Sequence, residues 1–342
     1  MTPLTRDYFT TSEILHLAIL PTEKCNFRCV YCNQTFLVGA MKRETVEGIQ
    51  SLLISRKRDL KQLIISWFGG EPLLAYSTIV GLMAFIAEYI NVNGGPTLKS
   101  GMSTNGYLLT PDRLRTLAQL GVREYQVTLD GDTAEHNALR LALNGVPTFD
   151  TIWKNLVEAR DTDASFKMLI RLHVNRKNIE SIQRLLDRLA SAFGRDTRFE
   201  VYIRRLANGI GPNCATLPTI PPDVTDVVHG LIHDARTHGL SVHGNESWHE
   251  GTCAASTLNS FVIRADGRIS KCLLVLDADT NTVGKLNRDG TMSLSVDKLK
   301  WWSRGIFSGD IKERGCPGSP LVEQERSTRV SGLVTIGSSA KN

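Results

Sequence analysis

Apolar and polar residues alternate, or apolar residues gather into short β-rich runs, at six places: His16 to Leu20, Leu63 to Trp67, Leu98 to Ser103, Glu124 to Leu129, Lys167 to Val174 and Phe199 to Arg204. Successive side chains on a strand point to opposite faces, so these runs predict six β-strands. Between them the apolar spacing lengthens to three and four residues near 43–58, 76–92, 111–120, 149–160 and 177–192, which is the spacing of one helix face. Thr110-Pro111 supplies an N-cap followed by a proline whose missing N–H costs nothing in a first turn, and Gly121 closes that helix. Strand and helix in alternation predict a parallel sheet with right-handed crossovers. Six units of about 35 residues predict an α/β fold, a partial (β/α)6 TIM-like barrel rather than eight closed units, over residues 15–205.

Past that point the pattern changes. Asn208 to Pro222 is rich in Gly and Pro, a helical period follows near 223–238, and short strands are then joined by turns at Asp266-Gly267 and Asp289-Gly290. These features predict a linker and helix over 206–245 and a smaller second module over 246–324. Residues 1–14 form an N-terminal extension, and 325–342, which has no periodicity, is expected to be a disordered tail.

With 342 residues, 42% of them apolar, the chain can bury a barrel-sized core without disulfides. Its 40 basic and 35 acidic residues leave a net charge of +5, too slight and too dispersed to announce a nucleic-acid or membrane partner. The densest run, Arg56, Lys57, Arg58 and Lys61, reads as the solvated end of an amphipathic helix. No secretory signal is present, and no apolar run is expected to reach the roughly 20 residues that a bilayer demands, so the expectation is a soluble, cytoplasmic protein. The 7 cysteines are an odd number with three crowded together, a distribution that suits metal or redox chemistry better than a disulfide framework.

Cys25, Cys29 and Cys32 stand at C-x3-C-x2-C spacing in the loop after the first predicted strand, the end at which barrels keep their active sites. Three thiolates can hold three irons of a 4Fe-4S cube and leave the fourth iron open to a substrate. A zinc site and a buried trio of inert cysteines are the alternatives, and zinc would need a fourth ligand. Trp67-Phe68-Gly69-Gly70-Glu71-Pro72 follows the second strand, where glycines admit a ligand close to the backbone and Glu71 can accept from an ammonium group. Ser103-Thr104-Asn105-Gly106 ends the third strand and Thr128-Leu129-Asp130-Gly131 the fourth, offering hydroxyl, amide and carboxylate groups to a ligand. Asn175 and Arg204 point to the same rim from the fifth and sixth strands, or cap loops there.

The run Cys-Asn-Phe-Arg-Cys-Val-Tyr-Cys, from Cys25 to Cys32, resembles the cluster motif of radical S-adenosylmethionine (SAM) enzymes, and Gly69-Gly70-Glu71 resembles the GGE motif of that family. The resemblance implies that a 4Fe-4S cluster on Cys25, Cys29 and Cys32 binds SAM and cleaves it to methionine and a 5'-deoxyadenosyl radical. It further implies that Tyr31 packs near the adenine, that Gly69, Gly70, Glu71, Ser103, Asn105, Asp130 and Asn175 line the cofactor site, and that Arg140 pairs with the SAM carboxylate or makes a surface ion pair. Asn33 departs from the pattern, since many relatives carry Tyr there.

Cys253, Cys272 and Cys316 form a sparser set, and the start of it resembles the SPASM or twitch extension that holds auxiliary iron-sulfur clusters. The later dense cysteine run of a full SPASM domain is missing, which implies one auxiliary 4Fe-4S cluster rather than two. Cys214 is open to three roles: a fourth ligand, a hydrogen donor to a substrate radical, or an inert thiol. His243, Trp248 and His249 read as packing residues or as the wall of a substrate groove, and Trp301-Trp302 first as core aromatics.

The motif combination is similar to that of enzymes that modify ribosomally made precursor peptides, which implies a carbon–carbon or thioether crosslink, or an epimerised residue. That branch implies an external electron donor such as flavodoxin or ferredoxin. The dozen or so residues ahead of the first strand leave no room for a leader-binding domain, so substrate capture is expected to fall to the barrel, to the second module or to a separate leader-binding protein. Alternatives are a small-molecule radical reaction, a sulfatase-type maturase, and a non-catalytic iron-sulfur sensor.

Overall fold

A computed structural model describes residues 9–91, 95–206, 218–220, 224–244 and 252–324. Six strands come first: β1 (Ile14–Ile19), β2 (Gln62–Trp67), β3 (Thr97–Thr104), β4 (Glu124–Leu129), β5 (Lys167–Val174) and β6 (Phe199–Arg205). Each pairs in parallel with the next. The crossovers carry α1 (Arg43–Ser55), α2 (Tyr76–Asn91), α3 (Pro111–Gln119), α4 (Thr133–Leu139), α5 (Phe149–Arg160) and α6 (Ile179–Phe193). The alternation that predicts the strands is also what fixes their faces. On β2, Leu63, Ile65 and Trp67 are buried in the common core with Ile79, Leu82 and Met83 of α2, while Gln62, Ile64 and Ser66 occupy the other face. Thr110 caps α3 as its sequence predicts, its side chain accepting from the Arg113 N–H.

Two local features differ from the sequence expectation. At seven residues, α4 is too short to show a helical period, and its start is marked instead by Asp132, whose carboxylate accepts from the Thr133 N–H. α1 ends at Ser55, so the basic run lies beyond it, where Arg56 donates to the Ser12 carbonyl and Lys61 pairs with Glu13 at 2.5 Å.

After α7 (Asp226–Thr237) come β7 (Ser260–Ile263), β8 (Arg268–Ser270), β9 (Thr282–Leu286) and β10 (Met292–Leu294), then α8 (Val296–Ser308) and α9 (Ile311–Gly315). These late strands do not build a sheet of their own. β7 pairs in parallel with β1, from His16↔Ser260 to Ile19↔Ile263, and β8, β9 and β10 follow as an antiparallel meander. The result is one 10-stranded sheet in the order β10-β9-β8-β7-β1-β2-β3-β4-β5-β6. β1 is thus an interior strand with a parallel neighbour on each side, and Leu15, Leu17 and Ile19 are fully buried.

One helical run, Pro72–Asn91, is long and apolar enough to cross a membrane by length and composition, which corrects the expectation that no run reaches that length. Its apolarity has a local use: Leu73, Ile79, Leu82, Met83, Ile86 and Tyr89 are buried as the crossover between β2 and β3. Cys214, Trp248, His249, the start of the N-terminal extension and the 325–342 tail lie outside the described residues.

Candidate active site

The loop after β1 carries the first three cysteines and is held from both sides. On one side it lies along the segment that follows α4: Arg28 N–H donates to the Leu141 carbonyl (2.9 Å), Val30 N–H to Leu139 (3.0 Å) and Leu143 N–H to Asn26 (2.7 Å). Within the loop, backbone amides already point at sulfur, Phe27 N–H to Cys25 Sγ (3.3 Å) and Gln34 N–H to Cys32 Sγ (3.5 Å). Such donors favour a thiolate over a thiol. Without a bound cation, burial wins nevertheless: it pushes the Cys25 thiol up to about 12, with Glu71, Cys29 and Cys32 adding to the rise. Cys29 is raised by burial too, against the pull of Arg140. Metal binding must therefore drive the deprotonation.

These three thiols feel one another's charge, yet among the described residues no group of three His, Cys, Asp or Glu side chains is arranged to hold a single metal ion. A purely thiol donor set served by amide N–H groups fits an iron-sulfur cluster better than zinc.

On its other side the cysteine loop rests on the turn after β2. Gly69, at φ +129, could not carry a Cβ, which would stand 2.2 Å from the Thr22 carbonyl oxygen, and one on Gly70 would stand 2.4 Å from that of Lys24. The turn then bonds to the same stretch, Gly70 N–H to Thr22 (3.3 Å) and Glu71 N–H to Lys24 (2.9 Å). Spacing between the two motifs thus reflects direct contact between them. Glu71 is fully buried, and its carboxylate accepts from Leu73 N–H (3.0 Å), Thr104 Oγ1 (2.7 Å) and Asn105 N–H (2.7 Å). Burial raises its pKa against these bonds. The carboxylate that the sequence offers as an acceptor for an ammonium group ties the β2 turn to the end of β3. Asn105 is likewise engaged, its amide donating to Asn26 Oδ1 (2.8 Å) and its oxygen accepting from Tyr107 N–H (3.0 Å).

Tyr31, Asp130 and Arg140 meet in one buried network. The Tyr31 hydroxyl donates to Asp130 and accepts from Arg140 Nη1 at 2.5 Å, and Arg140 stands 3.7 Å from the same carboxylate. His173, on β5, closes the group: its Nδ1 lies 3.0 Å from Asp130 Oδ1 and its ring meets Tyr31 edge-on at 5.3 Å. Asn178 anchors the backbone around it, donating to the carbonyls of Asp130 (2.9 Å) and His173 (2.8 Å). Burial alone would raise the Asp130 pKa, but His173 and Arg140 override it and hold the carboxylate well below its usual range. One atom is left over, for Arg140 Nε is buried with no hydrogen-bond partner. A buried guanidinium N–H without an acceptor is costly, and it marks where an anionic group of a bound cofactor would be received.

The inward faces of the strands are polar, unlike the packed branched side chains that fill a closed barrel. That face carries His16, Ser66, Ser103, Gln126, Arg171 and Tyr202, with Ile64 and Leu169 among them, and the register sets Ser103 against Gln126 and Arg171 between Thr128 and Tyr202. Ser103 lies on that face near the end of β3. Asn175 Oδ1 accepts from Lys177 N–H (2.8 Å), the loop-capping contact that the sequence left open for it.

The sequence profile of the Radical SAM superfamily matches residues 19–189, half of the 342-residue chain. The chain belongs to the radical SAM superfamily. It is an enzyme, and membership implies SAM and a 4Fe-4S cluster, for which the loop of Cys25, Cys29 and Cys32 is the candidate site. Among curated relatives, AdoMet-dependent heme synthase of Nitratidesulfovibrio vulgaris is 27% identical over 164 residues, covering 47% of this chain and 41% of that protein. GTP 3',8-cyclase of Campylobacter jejuni subsp. doylei is 28% identical over 159 residues, covering 46% of each. The chain thus spans less than half the length of these relatives. Solved structures match over more of it. Native anSMEcpe with bound AdoMet and Cp18Cys peptide superposes with a TM-score of 0.63 at 17% identity, covering 86% of this chain and 82% of that one. Streptococcus suis SuiB bound to precursor peptide SuiA gives 0.59 at 17% identity, covering 88% and 67%. At such identities the likeness is one of fold.

Beyond the radical SAM domain, burial raises the pKa of Cys253 and of Cys272, with Cys316 adding to the first and Cys253 and Cys316 to the second, so the three thiols stand near one another. Cys253 N–H donates to the Arg314 carbonyl (3.0 Å), and Cys316 caps α9 from the other side. Leu274 N–H donates to Cys272 Sγ at 3.4 Å, repeating the amide-to-sulfur arrangement of the first loop. Trp302 is fully buried, its indole N–H donating to the Thr280 carbonyl (3.0 Å), and Trp301 meets it edge-on, so both serve as core. His243 pairs with Glu200 at 3.2 Å on the edge of β6.

Sequence reasoning missed His173, Asn178 and Arg171. A lone histidine in a strand carries no local signal, and only the alternation of β5 hints that residues 171 and 173 share the face opposite Ile170 and Leu172. It also missed the fully buried Arg264, whose guanidinium grips both oxygens of Glu23 at 2.9 and 2.7 Å and reaches Asp277 at 3.1 Å. That clamp ties the end of β7 to the residues just ahead of Cys25.

Proposed function

We propose that this radical SAM enzyme modifies a ribosomally made precursor peptide, leaving a carbon–carbon or thioether crosslink or an epimerised residue. The observation that carries the reading is the reach of the fold likeness. At 86–88% of the chain it reaches well past the superfamily domain at residues 19–189, and the solved structures that share it include two with peptide bound. A polar inner face open at the cysteine end suits a substrate with many hydrogen-bonding groups.

On this reading SAM and its cluster, when bound, supply a 5'-deoxyadenosyl radical. Cys25, Cys29 and Cys32 hold that cluster, Arg140 receives the SAM carboxylate, and Tyr31 with Asp130 and His173 fixes the Arg140 side chain. Cys253, Cys272 and Cys316 hold one auxiliary 4Fe-4S cluster. An external donor such as flavodoxin or ferredoxin supplies electrons, a separate protein captures the leader, and the enzyme works in the cytoplasm, where thiols stay reduced. A second reading, a small-molecule substrate, is favoured by the sequence relatives, a heme synthase and a GTP cyclase.

Anaerobic reconstitution, with iron content and 5'-deoxyadenosine release measured in wild type and in a Cys25/Cys29/Cys32→Ala variant, tests the cluster assignments. Two 4Fe-4S clusters correspond to about eight irons, falling to about four in the variant, with cleavage abolished. Candidate precursor peptides then decide the substrate. A crosslink removes two hydrogens from the product and epimerisation none, whereas turnover of small molecules with every peptide unchanged favours the second reading.

A further inference from the structure

The inner face of the barrel is not uniformly polar, for its positive charge is gathered at β5 and β6. On β5, Met168, Ile170, Leu172 and Val174 are buried in the core, so Arg171 and His173 share the opposite face, and His173 shows by its contacts with Tyr31 and Asp130 that this face looks into the site. The register sets Arg171 against Thr128 on β4 and Tyr202 on β6, and His173 against Arg204. Arg171 and Arg204 therefore stand on adjacent strands of the same face, one step apart.

Neither arginine forms an ion pair among the described residues. Arg204 donates to the Tyr202 hydroxyl and lies over that ring at 5.4 Å, which orients its guanidinium without neutralising it. Arg171 Nε is buried with no hydrogen-bond partner. Burial lowers the Arg171 pKa and Arg204 lowers it further, with Tyr31, Tyr202 and Asp130 opposing. The Asp130 carboxylate already serves His173, Tyr31 and Arg140. Two like charges on one face, one of them with a buried N–H left without an acceptor, constitute an unfavourable arrangement, relieved when an oxyanion enters.

We infer that Arg171 and Arg204 form a subsite for an oxyanion of the substrate, which on the peptide reading above is the carboxylate of an acidic residue near the one that is modified. A guanidinium presents a planar fork that matches a carboxylate, and two of them from adjacent strands fix its position relative to the cysteine loop. The commitment to a carboxylate rests on the peptide reading, whereas the commitment to an oxyanion does not.

Three probes separate the two commitments: acetyl-Ala-Glu-Ala-amide, its Gln counterpart, and GTP, titrated calorimetrically into the SAM-loaded protein in wild type, Arg171→Met and Arg204→Met. The expected result is that wild type binds the Glu peptide at least tenfold more tightly than the Gln peptide, and that either variant closes the gap to twofold or less. Preference for GTP over the Glu peptide, lost in both variants, upholds the oxyanion subsite and overturns the peptide reading. Glu and Gln peptides binding alike to wild type, with any GTP binding unaffected by either variant, overturns the subsite. A measurement without ligand guards against misfolding: Arg171→Met should raise the thermal midpoint of the unliganded protein, since it removes a repelled charge, and a lowered midpoint with Arg171→Lys fully restoring it would assign the residue a structural role instead.

Discussion

Glu71 and Asp130 are both buried carboxylates, and their neighbours give them opposite tasks. Glu71 faces N–H and O–H donors with no cation in contact, so it braces two strand ends, whereas Asp130 faces His173 and Arg140 and serves as the anchor of a charged network. Glu71→Gln sets an amide N–H2 against donors and should cost roughly 1–3 kcal/mol in chemical denaturation, with loss of iron from the first cluster. The histidines govern acid stability. Burial holds the His16 ring down at about 4, with Lys271 adding to the shift, and burial with Arg140 holds His136 at about 3. Both rings are neutral in the folded chain where an unfolded histidine, with a pKa near 6.5, is already protonated. Stability is therefore intact above about pH 6.5 and lost as the pH falls from there toward 4. From pH 7 to pH 5 the loss should be about 2 kcal/mol for each ring, read from urea midpoints, and His16→Asn should remove its share. At this scale the sequence revealed Tyr31, Asp130 and Arg140 through their motif positions. It did not reveal that they touch, because the contact from Tyr31 to Asp130 spans 99 positions and depends on how three loops converge.

Strands and helices were the most legible level, since a period of two or of three to four is written locally. β4 and β5 occupy the residues that the alternation predicts, 124–129 and 167–174. What alternation does not encode is which edge a strand joins: β7, Ser260–Ile263, is buried along its whole length, and nothing in four such residues names β1 as the partner. Turns also join elements without any periodic signature. Gly69→Ala would force a left-handed backbone on a residue with a Cβ and drive that Cβ into the Thr22 carbonyl. A destabilisation of at least about 2 kcal/mol is expected, together with impaired cluster loading measured by iron content and absorbance. Gly39, whose added Cβ meets nothing within 4 Å, is the control, and Gly39→Ala should load normally.

Across the whole molecule, the loops that carry the two cysteine sets leave one sheet and are joined by the Glu23–Arg264–Asp277 clamp, in which Glu23 and Arg264 are buried and Asp277 is exposed. Arg264→Met strands the Glu23 carboxylate in the core and should cost about 3–5 kcal/mol, while the Glu23→Met/Arg264→Met pair should recover much of that loss, as measured by denaturant midpoints. A recovery confined to stability, with cluster loading still impaired, would separate the clamp's positioning role from its energetic one. The pairing of β1 with β7 also sets a clock. His16 and Ser260 are 244 residues apart, so at about 5–20 residues per second the ribosome needs roughly 10–50 seconds between making the first strand and making the neighbour that covers its far edge. Throughout that interval the edge of β1 offers unpaired N–H and C=O groups, and the cysteine loop that it carries lacks its Arg264 tether. The nascent chain thus depends on chaperones or on rapid pairing with β2 to protect that edge, and lasting cluster insertion belongs to the completed chain rather than to the growing one.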